Sequence, residues 1–503
     1  MNLKKNTSSV TLEEAIEHVV QENVLPTMWS NIVKHETAAL KINLQELDRK
    51  NLCDLAFVTI DGKDAKDFDD AVFCIKHNDG YDLYVAIADV SLYVKSGSEI
   101  DKEALNRGTS IYFPNFVIPM LPEILSNNLC SLKPNEDRPS LVVKITLDNE
   151  CRIKKYRFFS AIIHSHARLI YEEVENDSFQ QPLSDAVIDS LSNLKSLAKK
   201  RIAIKDQRGA IRIHSKEHFI KLNNDGISEA ISFRKTIFAN QMIEECMLLA
   251  NECAADLLNN KFGYAPFRVH EEPDQLKLET LKKILGDQSQ TQKSQDPASQ
   301  INSISKKISA KDQLKQSLIL QTMKRAEYST DNVGHFGLQL DQYCHFTSPI
   351  RRYPDLLTHR MIKQCTENDD SYLSNIKNDQ EICELSSKLE HRAENASRKV
   401  NQILIFDYLK RHVGESFEGV ISGVAEFGLF ITLEKFLVSG LLHVADLKRD
   451  RYQLSKDQTY LYGIKSGRRY RFGDSINIKI VAVSPFEGKM TLLQNEHKRR
   501  RKT

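Results

Sequence analysis

The sequence predicts an α+β chain, with a large domain of mixed strands and helices followed by a small all-β barrel, and three observations carry that reading. From Ala56 onward the runs AFVTI, AVFCI and YDLYVAIADV are rich in β-branched and aromatic residues, and HNDG at 77–80 joins the last two as a hairpin. Farther along, Val187, Leu191, Leu194, Ala198 and Ile202 recur at helical spacing. So do Ala239, Met242, Cys246, Leu249, Cys253 and Leu257, with Gly263 closing that second helix. After His412 short strands return as SFEGVISGV, GLFITL, GLLHV, SINIKIVAVS and KMTLLQ, which suits a separate barrel.

At 503 residues the chain is longer than one core usually organises, since single cores seldom exceed ~250–300 residues. We divide it into a helical lead-in at 1–53, a main domain at 54–400, a barrel at 413–495 and a basic tail at 496–503. The segment 286–305, GDQSQTQKSQDPASQINSIS, is Ser- and Gln-rich, and its composition predicts a mobile surface insertion. The apolar fraction of 41% and charged fraction of 27% are ordinary for a globular protein, and no window resembles a membrane span. The N-terminus lacks the apolar core of a signal peptide, so the expected location is cytoplasmic. Nine cysteines without a CxxC pair predict reduced, small core residues rather than a zinc ribbon or disulfide framework. Net charge is only +2, but basic residues gather late, in GRRYRF at 467–472 and in the terminal KRRRKT.

The stretch TIDGKDAKDFDDAV, 59–72, crowds Asp61, Asp64, Asp67, Asp69 and Asp70 into one turn between apolar strands. Two carboxylates ~5 Å apart repel by roughly 3 kcal/mol at an effective dielectric near 20, so the cluster needs compensation. Protonation, a basic side chain or a divalent metal could each supply it. Lys63 and Lys66 cannot neutralise five charges, and oxygen-only ligands favour a hard cation such as Mg²⁺ or Mn²⁺. An EF-hand beginning at Asp61 fails, because Lys63, Ala65 and Val72 stand where ligands are required. A solvated acidic turn is the plain alternative, yet the flanking strands argue for a rigid, partly buried one.

This turn resembles the signature of the ribonuclease II and ribonuclease R (RNB) family, nearest to its ribonuclease R branch. Three later blocks resemble that family in order: RGTSIYFPNFVIPMLPEILSNNLCSLKPNEDRPSL at 107–141, MIEECMLLAN at 242–251 and GHFGLQLDQYCHFTSPIRRYPDLLTHR at 334–360. The resemblance implies a catalytic domain folded around an RNA channel. It also implies a metal-dependent, processive 3′-to-5′ exoribonuclease that converts single-stranded RNA to nucleoside 5′-monophosphates. Under it Asp61, Asp67, Asp69 and Asp70 match the active-site aspartates that hold Mg²⁺, with Mn²⁺ as a substitute, and Asp64 only accompanies them. Asp69 and Asp70 are the catalytic candidates among these, Asp70 being the one whose loss should stop chemistry rather than binding. Arg351 matches the catalytic arginine, which can grip two phosphate oxygens, and Asp355 is expected to hold Arg352 in an ion pair.

Tyr112 matches an aromatic that stacks on a base near the RNA 3′ end. Glu244 points away from the Met242, Cys246 and Leu249 stripe, which makes it a better channel-lining candidate than Glu245. RGAIRIH puts Ile213 where the family often has a second clamp aromatic, so weaker grip there is expected. Residues 413–447 resemble an S-one RNA-binding OB-fold, on which Phe427, Phe430 and His443 match residues exposed to nucleic acid, with one of the two phenylalanines expected in the barrel core. Arg468 and Arg469 would add phosphate attraction. About 50 residues precede the main domain, too few for the cold-shock barrels common in the family, so the expectation is either a shortened form or a separate protein that supplies their role; otherwise a monomer is expected. An RNA-binding regulator with a dead nuclease core is the rival reading, against which the intact aspartates and Arg351 argue.

Overall fold

The computed structural model describes residues 9–41, 43–213, 216–285, 296–309, 312–447, 450–455 and 459–495. The main domain is built on strands β1 (Lys50–Asn51), β2 (Phe57–Asp61), β3 (Asp70–His77), β4 (Gly80–Ala88), β5 (Ile111–Phe113), β6 (Phe116–Ile118), β7 (Asp137–Leu147) and β8 (Ile153–Ile170). Six of them form one sheet in the order β1-β8-β2-β3-β4-β7, and β5 pairs with β6 as a separate hairpin. The long strand β8 pairs through its first half with β7 and through its second half with β2, so the sheet curls back on itself. The predicted β3–β4 hairpin forms with His77 opposite Gly80. Phe57, Val58, Ile60, Val72, Leu83, Val85, Ile87 and Val143 are buried in one apolar cluster.

Helices close over this sheet. Asp185–Arg208 packs on β3, and Phe238–Phe262 packs on that helix. The predicted stripe of Met242, Cys246, Leu249 and Cys253 is buried. Gly263 ends the second helix at φ +77, with its N–H donating to the Asn259 carbonyl at 2.9 Å, a left-handed stop that glycine adopts without strain. In the lead-in, Leu12–Asn23 starts with a Thr11/Glu14 capping box and lies along the 35-residue helix Ile376–Lys410. All nine cysteines are free and seven are buried. Among the described residues no helix is long and apolar enough to cross a membrane.

The expected insertion at 286–305 is half corrected. Residues 286–295 lie outside the described residues, but Pro297–Lys307 is a helix capped by Asp296, which accepts the Ser299 N–H at 2.9 Å. Ile301 and Ile304 bury one side of it against Leu278, Leu281 and Ile319. Composition averaged over the segment hid two isoleucines three positions apart and an Asp-Pro start, which together suffice for a short amphipathic helix.

Strands Ser416–Ala425, Gly428–Leu433, Val438–His443, Lys489–Gln494 and Ser475–Ser484 close the C-terminal barrel in that order. Its core residues Ile421, Leu429, Ile431, Leu442, Ile478 and Leu492 join Val400, Ile403 and Phe406 of the long helix in one cluster. The barrel is therefore packed against that helix. Tyr452–Leu454, Tyr460–Gly463 and Arg469–Arg471 form a separate three-stranded sheet between the third and fourth strands along the chain, a detour the strand pattern alone did not separate from the barrel. The basic tail at 496–503 lies outside the described residues.

Candidate active site

The acidic turn runs from the end of β2 at Asp61 to the start of β3 at Asp70, and its backbone is pinned from outside. Arg168 on β8 donates from Nη2 to the carbonyls of Gly62 at 2.8 Å and Lys63 at 2.5 Å. The Phe68 N–H donates to Ser131 Oγ at 3.0 Å, Ser131 Oγ donates to the Lys66 carbonyl at 2.8 Å, and the Leu132 N–H returns to the Phe68 carbonyl at 3.0 Å. With the main chain held this way, Asp61, Asp67, Asp69 and Asp70 line one cavity of about 470 Å³. Asp64 is exposed and does not line it.

The opposite wall comes from the TSPIRRYPD segment. The Ile350 N–H donates to Asp69 Oδ1 at 2.9 Å, and Arg351 Nε lies 3.8 Å from Asp69 Oδ2. Arg352 also lines the cavity but is engaged by Asp355, donating at 2.7 Å, while the same carboxylate oxygen accepts the Ser348 N–H at 2.7 Å. The expected Arg352–Asp355 pair is thus present. A short ladder ties this segment to the RGTSIYFP block: Ser110 N–H to the Arg351 carbonyl at 3.0 Å, and Tyr353 N–H to the Gly108 carbonyl at 2.9 Å. Gly108 sits at φ +71, and a Cβ there would come within 2.7 Å of Leu389, so only glycine fits.

Burial is the largest influence on the carboxylates. It pushes Asp61 up to about 6, with Asp67 adding and Arg168 and Arg351 opposing. Asp69 and Asp70 are pushed well above the usual carboxylate range, again first by burial, with Arg351 opposing in both and Asp61 adding at Asp70. Asp61 Oδ2 is buried with no hydrogen-bond partner. An orphaned acceptor and an all-carboxylate donor set fit a hard divalent cation. Among the described residues no group of three or more His, Cys, Asp or Glu side chains lies close enough together to hold a metal ion as placed. The four aspartates are thus a donor set rather than a closed coordination shell.

Tyr112 on β5 lines the same cavity at 41% exposure, and its hydroxyl donates to Asp67 Oδ2 at 2.9 Å. Glu244 also lines it and accepts from Lys205 Nζ at 2.5 Å, whereas Glu245 is buried beside Arg201. Ile213 is not there. It packs against the Leu278, Ile301 and Phe336 cluster, so the expected clamp position is corrected: a half-buried aliphatic side chain is drawn to the apolar cluster of the three small helices. Tyr171, which follows β8, lines the cavity too, and burial with Asp61 and Asp70 nearby pushes its hydroxyl up. Neither Tyr171 nor Arg168 was singled out from sequence; each stands alone in an ordinary strand-to-helix passage.

On the barrel, Phe427 and Phe430 are 50% and 40% exposed, their rings edge to face at 6.0 Å. The expectation that one of them would be buried is therefore corrected, because barrel closure uses Leu429 and Ile431 as the inward alternates. His443 is exposed beside them on the strand paired to Gly428, and its Nδ1 accepts the Ala445 N–H at 3.2 Å. Arg468 and Arg469 are exposed and lie over Tyr470 and Tyr460 at 5.0 and 5.2 Å.

A carboxylate cavity with an arginine on its far wall, joined through one long helix to a barrel bearing exposed aromatics, defines a two-part protein with an acidic, arginine-faced cavity and an OB-type module. Residues 49–368 match the RNB domain family and residues 410–492 the S1 RNA binding domain. The chain belongs to the RNB family. It is 38% identical to ribonuclease R of Vibrio parahaemolyticus over 92% of this chain and 58% of that protein, and 37% identical to ribonuclease R of Escherichia coli over 95% and 61%. It thus spans about three fifths of the length of these curated relatives. RNase R of Mycoplasma genitalium, solved as the apo form and in complex with ribose methylated single-stranded RNA, superposes with a TM-score of 0.91. Its identity is 32%, over 96% of this chain and 78% of that one.

Proposed function

We propose that the chain is a metal-dependent, processive 3′-to-5′ exoribonuclease that hydrolyses single-stranded RNA to nucleoside 5′-monophosphates. The observation that carries this is the convergence of Asp61, Asp67, Asp69, Asp70 and Arg351 on one cavity. The RNA held by the Mycoplasma relative supports the substrate class.

Arg351 is free to fork onto two non-bridging oxygens of the scissile phosphate and to offset the charge that builds there during attack. Ser348 Oγ accepts from its Nη2 at 3.0 Å and fixes its aim. Tyr112 is held by Asp67 through its hydroxyl, which leaves a ring face for the terminal base. Lys205 neutralises Glu244, so the cavity wall beyond the aspartates does not repel a polyanion. Mg²⁺, with Mn²⁺ as a substitute, would be held by Asp61, Asp67, Asp69 and Asp70, and when bound supplies a lowered pKa for the attacking water and charge relief for the departing 3′ oxygen. Phe427, Phe430 and His443 give the barrel a stacking surface for single-stranded RNA, and Arg468 and Arg469 give it phosphate attraction.

Incubating uniformly labelled RNA with Mg²⁺, then with chelator, tests the reading. Release of 5′-mononucleotides from the 3′ end that stops on chelation is expected; binding without shortening would overturn it in favour of an RNA-binding regulator.

A further inference from the structure

The acidic turn has a second side. Along residues 65–69 the lining alternates: Asp67 and Asp69 line the active-site cavity, whereas Lys66 and Phe68 line another cavity of about 430 Å³. Lys133, Asn127 and Glu136 complete the charged and polar wall of the second cavity, and Ala65 lines both cavities.

The charge balance of this second cavity suits an anion. Glu136 is paired with Arg138. Among the described residues no carboxylate lies within ion-pairing distance of Lys66 or Lys133; Lys133 Nζ donates only to Asn128 Oδ1, at 2.9 Å. Two lysines without a carboxylate partner therefore line a space of mononucleotide size, on the far side of the turn that holds the reacting carboxylates. An exonuclease that keeps its polymer bound between cuts has its active-site approach filled by the next nucleotide of the chain, so each product must leave another way.

We propose that this cavity is the product-release site: it takes the nucleoside 5′-monophosphate as it leaves Asp67 and Asp69, with Lys66 and Lys133 receiving the phosphate dianion and Ala65 marking the passage. This rests on the exoribonuclease reading above. Ala65 is shared by the two linings, and the bonds from Ser131 and Leu132 hold the turn in place between the cavities.

The test uses the full chain in two arms. In the first, adenosine 5′-monophosphate and adenosine are titrated into the Asp70→Asn chain with and without Lys66→Ala/Lys133→Ala. The nucleotide should bind at least tenfold more weakly to the triple variant, with adenosine unchanged. In the second, the double variant in the otherwise native chain should show a single-turnover cleavage rate within twofold of the parent and a steady-state rate severalfold lower, since release and not chemistry is slowed. Unchanged nucleotide affinity in the first arm overturns the proposal, as does a double variant that loses affinity for long RNA instead, which would make the cavity part of the RNA path. The first arm requires no turnover, so a failure of the exoribonuclease reading, seen as an inactive native chain, is distinguished from a failure of the release site.

Discussion

The Ile350 amide donates to Asp69 Oδ1 at 2.9 Å, joining residues 281 positions apart in the chain. This bond sets the distance between the acidic turn and the arginine that follows Ile350. It also divides the labour among neighbouring aspartates, because one Asp69 oxygen is committed to the protein. Asp70, beside Asp61, has burial and a like charge to contend with and only Arg351 opposing them.

The Asp70→Asn chain should therefore cleave RNA at least ~100-fold more slowly while binding it with near-native affinity, since one negative ligand is lost and the shape is kept. Single-turnover cleavage beside filter binding of the same RNA checks this. Native cleavage in the variant would remove Asp70 from the chemistry. Asp69→Asn should also slow cleavage, and it should in addition loosen the 347–352 segment that Asp69 anchors.

Adjacent arginines should fail in different ways. Arg351, 41% exposed in its side chain, faces the cavity, so Arg351→Ala should lower kcat ~10²–10³-fold with little change in folding. Arg351→Lys should recover only part, because an ammonium cannot fork onto two oxygens. Arg352 belongs to Asp355, whose side chain is fully buried, and Arg352→Ala strands that carboxylate at a cost of about 3–5 kcal/mol. Denaturant midpoints and kcat measured on the same preparations separate the two; equal loss of stability in both variants would contradict the assignment.

The raised carboxylates make a pH prediction for the metal-free chain. Asp61 titrates at about 6 in the folded chain, above its unfolded value of 3.8, so between those limits the folded state holds more protons than the unfolded one. Stability from this group consequently falls as pH rises from about 4 through about 6, and Asp69 and Asp70 act in the same direction. In chelator, the denaturation midpoint of Asp61→Asn should fall less than that of the parent between pH 5 and 7.5, and Mg²⁺ should raise the parent at pH 7.5 more than the variant. A parent and variant with parallel pH profiles would show that the buried charge is not the source.

What could be read in advance follows from how each feature is encoded. The four aspartates sit within ten residues and Arg351 sits in a nine-residue string, so chemistry and spacing appear together in the sequence. Helices such as Phe238–Phe262 were legible because burial imposes a stripe on them. Arg168 and Tyr171 were not, since their roles arise only when β8 is laid beside β2, and a lone Arg or Tyr on a strand end carries no signal by itself. Ile213 misled for a related reason: its neighbours in sequence resembled a clamp, while its neighbours in space are the isoleucines of a helix that composition alone had hidden.

The barrel offers two kinds of contact that salt distinguishes. Phe427 and Phe430 are exposed rings 6.0 Å apart, and each base stacked on such a ring contributes ~1–3 kcal/mol. Phe427→Ala/Phe430→Ala should therefore weaken RNA binding equally at low and high salt, without altering the fold, because neither ring is in the core. Arg468 and Arg469 act through phosphate, and each cationic contact removed should reduce the slope of log affinity against log salt by ~0.7 for a single strand. Both guanidinium groups lie over tyrosine rings, Tyr470 and Tyr460, at the surface of the added sheet. Arg468→Ala/Arg469→Ala should accordingly flatten the salt dependence by ~1.4 in slope and leave high-salt affinity nearly native. Fluorescence anisotropy with a labelled single strand, repeated across salt concentrations for the three chains, measures both effects. A salt slope that the arginine pair leaves unchanged would mean that the added sheet does not touch the RNA backbone.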